Sequence, residues 1–420
     1  MVVTKVSRAN RATSDDAARV SIDDAARVSI DDAARILSHT VRYYDNPETI
    51  RADWERLAAR AGTRMSSRFL YSVGAHDTDG NGSFLLVAVY RGSEMVALAP
   101  FAVRRMLTVE VVRLLGHGRG VIGEVLADDA DAARALWRAV ADRGLVLHAD
   151  LVVASDVAVS ALLDDPRWNC VVRVRDTHLS VDVPEGTVPA DIRSPRSLKR
   201  LRSYRTALTR SGSSLEFEQL TTPVDVDRRW SDLCSVAAIG TSGRDRVNFL
   251  APPHEQFVYR FLRAEAELGR LVILGLIIDG VWCAHDVSVR TGNRLEGWVT
   301  HYRPECAQTQ PGHQMMEWLV AQRKELAVDV LDMGIGPTDL KLVWANNRTP
   351  VVTITGVQSG RIGARAIVRA IETWESGSLV SFSRKLRDKV RSVLHRGREA
   401  EDAVGGGRSI RPAATTSSLP

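Results

Sequence analysis

The chain has 420 residues, 45% of them hydrophobic and 25% charged, with 56 Lys and Arg against 51 Asp and Glu. These are the proportions of a soluble globular protein long enough for two domains, and they exclude disordered and collagen-like chains. No apolar run reaches the roughly 18 to 20 residues that span a bilayer, because the longest, "LVILGLIIDGVW", is broken by Asp279 and Gly280.

The N-terminus, "MVVTKVSRANRATSDD", lacks the apolar stretch of a secretory signal, so a cytoplasmic location is expected. Residues 14–36 then read "SDDAARVSIDDAARVSIDDAARI", three near-identical copies of an eight-residue unit. On a helix such a unit drifts about 80° per copy, so Val20, Val28 and Ile36 cannot form one coiled-coil stripe. Residues 1–49 are expected to be a disordered tail, with a partner-binding arm as the other reading.

A first folded unit is expected over residues 50–183. "FLLVAVYR", a turn at Gly92, "MVALAPFAVRRM" and "VEVVRLLG" predict a three-strand meander. "DADAARALWRAVADRG" predicts a helix, "VLHADLVVAS" a strand, "VAVSALLDD" a short helix and "CVVRVRDTHLSVDV" a closing strand. "GHGRG", from Gly116 to Gly120, imitates a glycine-rich phosphate loop, but "VIGEVL" separates it from the helix, and it reads as a turn.

A second unit over residues 184–357 repeats that order. "SLEFEQL" predicts a strand, "VDVDRRWSDLCSVAAI" and "HEQFVYRFLRAEAELG" helices, and "LVILGLII" a buried strand. Asp279-Gly280 is a strong hairpin turn into "VWCAHDVSVR", and "TGNR" is a second turn into "LEGWVTHY". A helix carrying Met315, Met316, Leu319, Val320 and Leu326 follows, then the strand "VDVLDMG", the short helix "TDLKLVWA" and the strand "VVTITGV". The fold class is therefore mixed α/β, as two copies of one meander-helix-strand unit.

Residues 358–398 carry Leu379, Leu386, Val390, Val393 and Leu394 among Arg and Lys, the pattern of a basic amphipathic helix suited to the body of the protein or to an anionic membrane surface at the inner face. Residues 399–420 read as a disordered tail. A second basic cluster runs from Arg193 through Arg196, Lys199, Arg200, Arg202 and Arg205 to Arg210 without an acid. It points to an anionic partner; sparse interleaved aromatics argue against nucleic acid. Cys170, Cys234, Cys283 and Cys306 show neither C-x-x-C pairing nor zinc spacing, so no metal is expected.

The joint order of "VALAPFAVRR", "VVRLLGHG", "SPRSLKRLRSYRTALTRSG", "THYRPECAQTQPG", "VLDMGIG" and "LKLVW" resembles the CelD/BcsL-type acetyltransferases, a tandem GNAT group (with the BioF2-like acetyltransferase domain) distantly similar to the Fem-type aminoacyltransferases. The likeness covers about residues 67–357. It implies an acyl-CoA donor, acetyl-CoA first, a small sugar or amine acceptor such as a polysaccharide precursor, and a degenerate first copy.

The resemblance also directs attention to "QPGHQ". GNAT enzymes place the donor pyrophosphate at the start of the helix after the meander, and a helix start binds anions through its unsatisfied N–H groups. Pro311, Gly312, His313 and Gln314 are the implied cofactor-binding residues. The common signature would place Gln or Arg where Thr309 stands and Gly or Ala where Gln314 stands. Gly297 marks a bulge or the strand splay that admits pantetheine. Lys341, in a variant of Tyr-Lys-x-x-Trp with Leu340 replacing the tyrosine, is the candidate for oxyanion stabilisation. Asp332, at a strand end, is the candidate to orient or deprotonate the acceptor. Tyr302, Trp344 and Arg200 stand as substrate-binding candidates, and His285 with Asp286, and His301 with Tyr302, as further acid–base pairs. A core, cap or solvated role remains open for each. A non-catalytic binding or scaffold protein, and a tRNA-dependent aminoacyltransferase, remain alternatives.

Overall fold

The computed structural model describes residues 39–79, 82–106, 109–116, 121–242, 247–360 and 363–375. The first half comprises β1 (His39–Tyr44), α1 (Arg51–Arg60), α2 (Phe69–Asp79), β2 (Ser83–Arg91), β3 (Glu94–Met106), β4 (Val109–Leu114), β5 (Leu126–Ala127), α3 (Ala130–Asp142), β6 (Val146–Val153), α4 (Val157–Asp164) and β7 (Trp168–Asp182). The second comprises α5 (Pro189–Ile192), α6 (Pro195–Arg210), β8 (Leu215–Leu220), α7 (Pro223–Thr241), α8 (Glu255–Glu267), β9 (Leu271–Ile278), β10 (Val281–Thr291), β11 (Arg294–Tyr302), α9 (Pro311–Ala321), β12 (Val330–Ile335), α10 (Asp339–Trp344) and β13 (Asn347–Gln358). A final helix, α11 (Ala364–Glu375), follows. Both halves carry the meander, helix, strand, helix and closing strand that the patterning predicts.

Local chemistry sets many of these boundaries. Asp129 caps α3 by accepting the Ala132 N–H, and Thr222 and Asp225 form a reciprocal capping box around Pro223 at the start of α7. Asp279 and Gly280 both take positive φ, 49° and 77°, which turns β9 into β10 with the twist a two-residue hairpin needs.

The strands join in one mixed sheet, in the order β1-β2-β3-β4-β6-β13-β7-β12-β11-β10-β9-β8, with β5 beside β3. The two parallel steps are β4 to β6 and β11 to β12. At the centre the halves exchange their closing strands. The first half's β7 pairs with β12, and the second half's β13 pairs with β6. β7 and β13 also pair with each other from Trp168↔Gln358 to Ser180↔Asn347. The halves interlock at the start of the chain as well, since Met65, Tyr71 and Ala75 pack in one core with Phe261, Leu262 and Val299.

Two sequence boundaries shift. Residues 39–49, expected in the tail, instead form β1, which pairs with β2 at Val41↔Val89, and a 3-10 turn capped by Asn46 that buries Ile50. Residues 364–375 of the basic C-terminal segment form α11, whose Val368 and Ile371 pack on Val111, Val146 and Val357. The eight-residue repeat, "GHGRG" beyond Gly116, and the chain from residue 376 onward lie outside the described residues.

Candidate active site

β11 and β12 run in register at Arg294↔Val330, Leu295↔Leu331 and Glu296↔Asp332, and then part. β12 continues against β7 through an irregular step between Asp332 and Ile335. Gly297 stands at the fork: a Cβ there would lie 3.1 Å from the Asp332 carbonyl oxygen. Beside the fork is a cavity of about 110 Å³, lined from the second half by Glu296, Trp298, Asp332 and Lys341 and from the first by Arg64, Met65 and Ile122. Lys341 and Asp332, widely separated from the first-half residues in sequence, thus meet at one site.

Asp332 is buried and fully engaged. Its Oδ1 accepts from His178 Nε2 at 2.6 Å and from the Gly334 N–H at 2.8 Å, while Oδ2 accepts from Arg64 Nη1 at 2.7 Å. Burial alone would raise its pKa, but the His178 hydrogen bond and the Arg64 charge hold it well below the ordinary carboxylate range. Such a group is a weak proton acceptor. Its position fits it to anchor Arg64 rather than to deprotonate an acceptor.

The carboxylate suited to that task is Glu296, across the register from Asp332. Oε2 accepts the Met65 N–H at 2.9 Å, while Oε1 is buried with no hydrogen-bond partner among the described residues. Burial raises its pKa; the Arg64 charge opposes the shift and the Asp332 charge adds to it. Trp298, two residues along β11 and also on the cavity wall, buries an Nε1–H that has no acceptor among the described residues. Glu124 accepts the Arg64 N–H at 2.8 Å, and burial together with the Asp156 charge pushes its pKa up to about 7. A short segment of the first half, residues 64–66, thus inserts its backbone and one guanidinium among the carboxylates of the second.

Lys341 is placed by the cap of α10, where Thr338 Oγ1 accepts the Lys341 N–H at 3.3 Å. Its Nζ donates to the Ile335 carbonyl at 2.6 Å. Asp286 lies near enough to feel that charge: burial raises the pKa of Asp286, while hydroxyl donors Ser288 and Thr300 and the Lys341 charge lower it.

The start of α9 shows what "QPGHQ" does. Gln310 takes the left-handed conformation, φ 52°, and Pro311 occupies the first turn without side-chain capping of the helix. A Cβ on Gly312 would lie 3.2 Å from Leu340 Cδ2, so the absent side chain makes room for α10. His313 Nδ1 accepts from Trp344 Nε1 at 2.9 Å. Burial first, then the charges of Arg193 and Arg200, lower the His313 pKa, so its neutral ring carries a proton on Nε2. The first turn contains no acid. It therefore offers free helix N–H groups, a ring N–H donor and nearby guanidinium charge, a setting that favours an anion.

Other candidates settle elsewhere. Gln314 is fully buried, with Nε2 donating to the Leu201 and Thr309 carbonyls and Oε1 accepting from Arg205, which makes it a structural tie and not a ligand contact. Trp344 is also fully buried, its ring in the core under Arg193 and its N–H spent on His313. Arg200 is exposed on α6, donating to the Tyr204 hydroxyl at 2.7 Å, and Tyr302 packs at the margin of the α9 core. His285 has no exposure; its Nε2 lies 3.0 Å from His301 Nδ1, and burial, with the His301 charge beside it, drives the His285 pKa well down, which makes it a core residue. Among the described residues no group of three or more His, Cys, Asp or Glu is arranged to hold a metal, and no helix is long and apolar enough to cross a membrane.

The sequence reading passed over Glu296. The signal was an acid inside "LEGWV", an otherwise uncharged stretch of strand, where a buried ionisable side chain requires a purpose.

Residues 195–342 match the acetyltransferase (GNAT) domain family, a span that holds α6 through most of α10 and both strands of the fork. No curated protein matches the chain. Among solved structures, it is similar to FemX at 9% identity and TM-score 0.54, covering 79% of this chain and 100% of that one. It is also similar to the C-terminal DUF2156 domain of a protein named as a lysylphosphatidylglycerol synthetase from Agrobacterium fabrum, at 12% identity and TM-score 0.50, covering 78% of this chain and 97% of that one. At such identities the likeness is one of fold. The match to the GNAT acetyltransferase domain thus covers the second half, within one mixed α/β sheet to which both halves contribute.

Proposed function

We propose that this protein is an acyl-CoA-dependent acyltransferase, with acetyl-CoA as donor and an amine or hydroxyl of a sugar or cell-surface polysaccharide precursor as acceptor. The observation that carries the reading is the buried Glu296 carboxylate, with one oxygen unpartnered, at a cavity where two parallel strands part. The CelD/BcsL-type sequence likeness supports the acceptor class, and the GNAT domain supports the donor.

In this reading Glu296 Oε1 takes the proton of the acceptor as its nitrogen or oxygen attacks the thioester carbonyl. The Lys341 ammonium faces the developing oxyanion; as the tetrahedral intermediate collapses, the C–S bond breaks and the sulfur takes the proton held on Glu296, which releases coenzyme A as its thiol and returns the carboxylate. Arg64, fixed by Asp332, opposes the upward shift that burial gives the Glu296 carboxyl. The donor pyrophosphate would lie at the first turn of α9, against the N–H groups of Gly312 and His313 and the His313 ring, near Arg193 and Arg200.

A non-catalytic scaffold is the second reading, favoured by the small cavity and by Leu340 seated over Gly312. Calorimetric titration with acetyl-CoA and longer acyl-CoAs, followed by thiol release with amino sugars and simple amines, decides between them. Micromolar donor binding with thiol release that vanishes in Glu296→Gln is expected. Absence of binding to every acyl-CoA tested would leave the scaffold.

A further inference from the structure

Helix α6 carries no acid between Pro195 and Arg210. Arg205 pairs with Glu317 at 2.8 Å, but Arg196, Lys199, Arg200, Arg202 and Arg210 are exposed and have no ion-pair partner among the described residues. Beside this strip lies apolar surface. Leu342 and Val343 of α10 are 42% and 38% exposed, and Val188, just ahead of α5, is 50% exposed. Arg193 ties the two together, donating from Nη1 to the Val343 carbonyl at 2.9 Å while its guanidinium lies over the Trp344 ring.

We propose that this face, the cations of α6 with Leu342, Val343 and Val188, docks the protein on an anionic lipid bilayer. Exposed cations gain from the negative potential of a membrane surface, and apolar side chains among them enter the boundary between headgroups and acyl chains. Long Arg and Lys stems reach the headgroups while the leucine and valines sit deeper. The same strip is poorly equipped for nucleic acid, because its one aromatic, Tyr204, is engaged by Arg200 through a hydroxyl contact of 2.7 Å with the guanidinium over the ring. The apolar ridge would gain nothing from a sugar-phosphate chain. Arg193 and Arg200 also adjoin the first turn of α9, whereas Arg196, Lys199 and Arg202 belong to the surface alone, so the proposal extends beyond the transferase reading and does not depend on it.

The test uses the full chain and flotation with vesicles of phosphatidylcholine alone or mixed with phosphatidylglycerol. Binding to the mixed vesicles only is expected, weakening steeply with salt. At about fivefold per cation, the combined Arg196→Glu, Lys199→Glu and Arg202→Glu chain should lose roughly a hundredfold or more in affinity, with an unchanged melting temperature confirming its fold. Leu342→Ser with Val343→Ser should weaken the salt-resistant remainder. Equal binding to neutral vesicles, no binding to anionic ones, or a triple variant that binds as wild type would overturn the proposal. So would a duplex RNA that binds more tightly than the vesicles and displaces them.

Discussion

The two parallel strand pairs of this molecule begin alike and end differently. In the first half Val111↔Val146 and Val112↔Leu147 are in register, and two residues past Val112 stands Leu114. The chain then returns into the opening: the Gly123 N–H donates to the Leu151 carbonyl at 2.9 Å, Gly123 bridges Val152, and a Cβ on Gly123 would lie 2.8 Å from Leu114 Cδ1. In the second half, two residues past Leu295 stands Gly297, and the space beside it is cavity. By the same count Glu296 occupies the place of Arg113, and Asp332 that of His148, which spends its ring on Thr355. The comparison teaches that a splayed strand pair is a backbone feature shared by both copies, whereas a site needs a missing side chain, a loop that stays out and a carboxylate left unsatisfied.

The comparison can be broken most forcefully at Glu296. Glu296→Gln keeps size and burial but removes the base, so kcat/KM should fall by about 10²- to 10⁴-fold while the melting temperature holds. The wild-type profile should rise with pH through a limb above the ordinary glutamate range, because its raised pKa means the carboxylate loses its proton late. That limb should disappear in the variant; its persistence would give the proton to another group.

Asp332→Asn acts on stability instead. It leaves Arg64 buried without its charge partner, which should cost about 3 to 5 kcal/mol in denaturant unfolding. The sign of the pH effect follows from its depressed pKa: the Asp332 contribution is present above the unfolded value of about 4 and is lost as pH falls through the folded one. The variant should therefore show a weaker acid dependence than wild type, and equal acid sensitivity would remove Asp332 as its source.

Gly297→Ala tests the fork itself. The added methyl meets the Asp332 carbonyl, and overpacking of about 1 to 3 kcal/mol should appear as roughly tenfold weaker acetyl-CoA binding by calorimetry. The matching change in the other half, Gly123→Ala, collides with Leu114 and should cost similar stability yet leave donor affinity unchanged within error. If both substitutions weakened donor binding equally, the first copy would be a working site and not a closed one.

Much of the architecture was legible in the sequence because it rests on short-range rules. The Asp279-Gly280 turn, the Pro311 helix start and the apolar strands of both meanders each follow from the preferences of a few adjacent residues. What escaped depends on separation. Arg64 meets Asp332 across 268 positions, and only that contact shows why Asp332 is a poor base. Gly312 suggested room for a ligand, and the space where its side chain would stand is taken by Leu340 of a helix not adjacent in sequence, which leaves only its backbone N–H for a ligand. Gln314 and Trp344 have the residue types of a binding site and the burial of a core, and patterning cannot separate the two until the packing partners are known. Residues 64–75 sit in the first half of the chain yet complete the core of the second, so no composition shift marks them.

The exchanged strands have a consequence for the order of events as the chain emerges during synthesis. The first half cannot finish its sheet with its own residues, since the strand beside β6 is β13, about two hundred positions later. Until that strand arrives, β6 presents an unpaired edge and β7 awaits both its neighbours, the kind of exposed edge that recruits other chains. Completion of the first half's sheet therefore waits on β13, a non-local pairing of the kind that slows folding. A ribosome stalled before residue 347 would hold a nascent protein whose earliest-made half is still open.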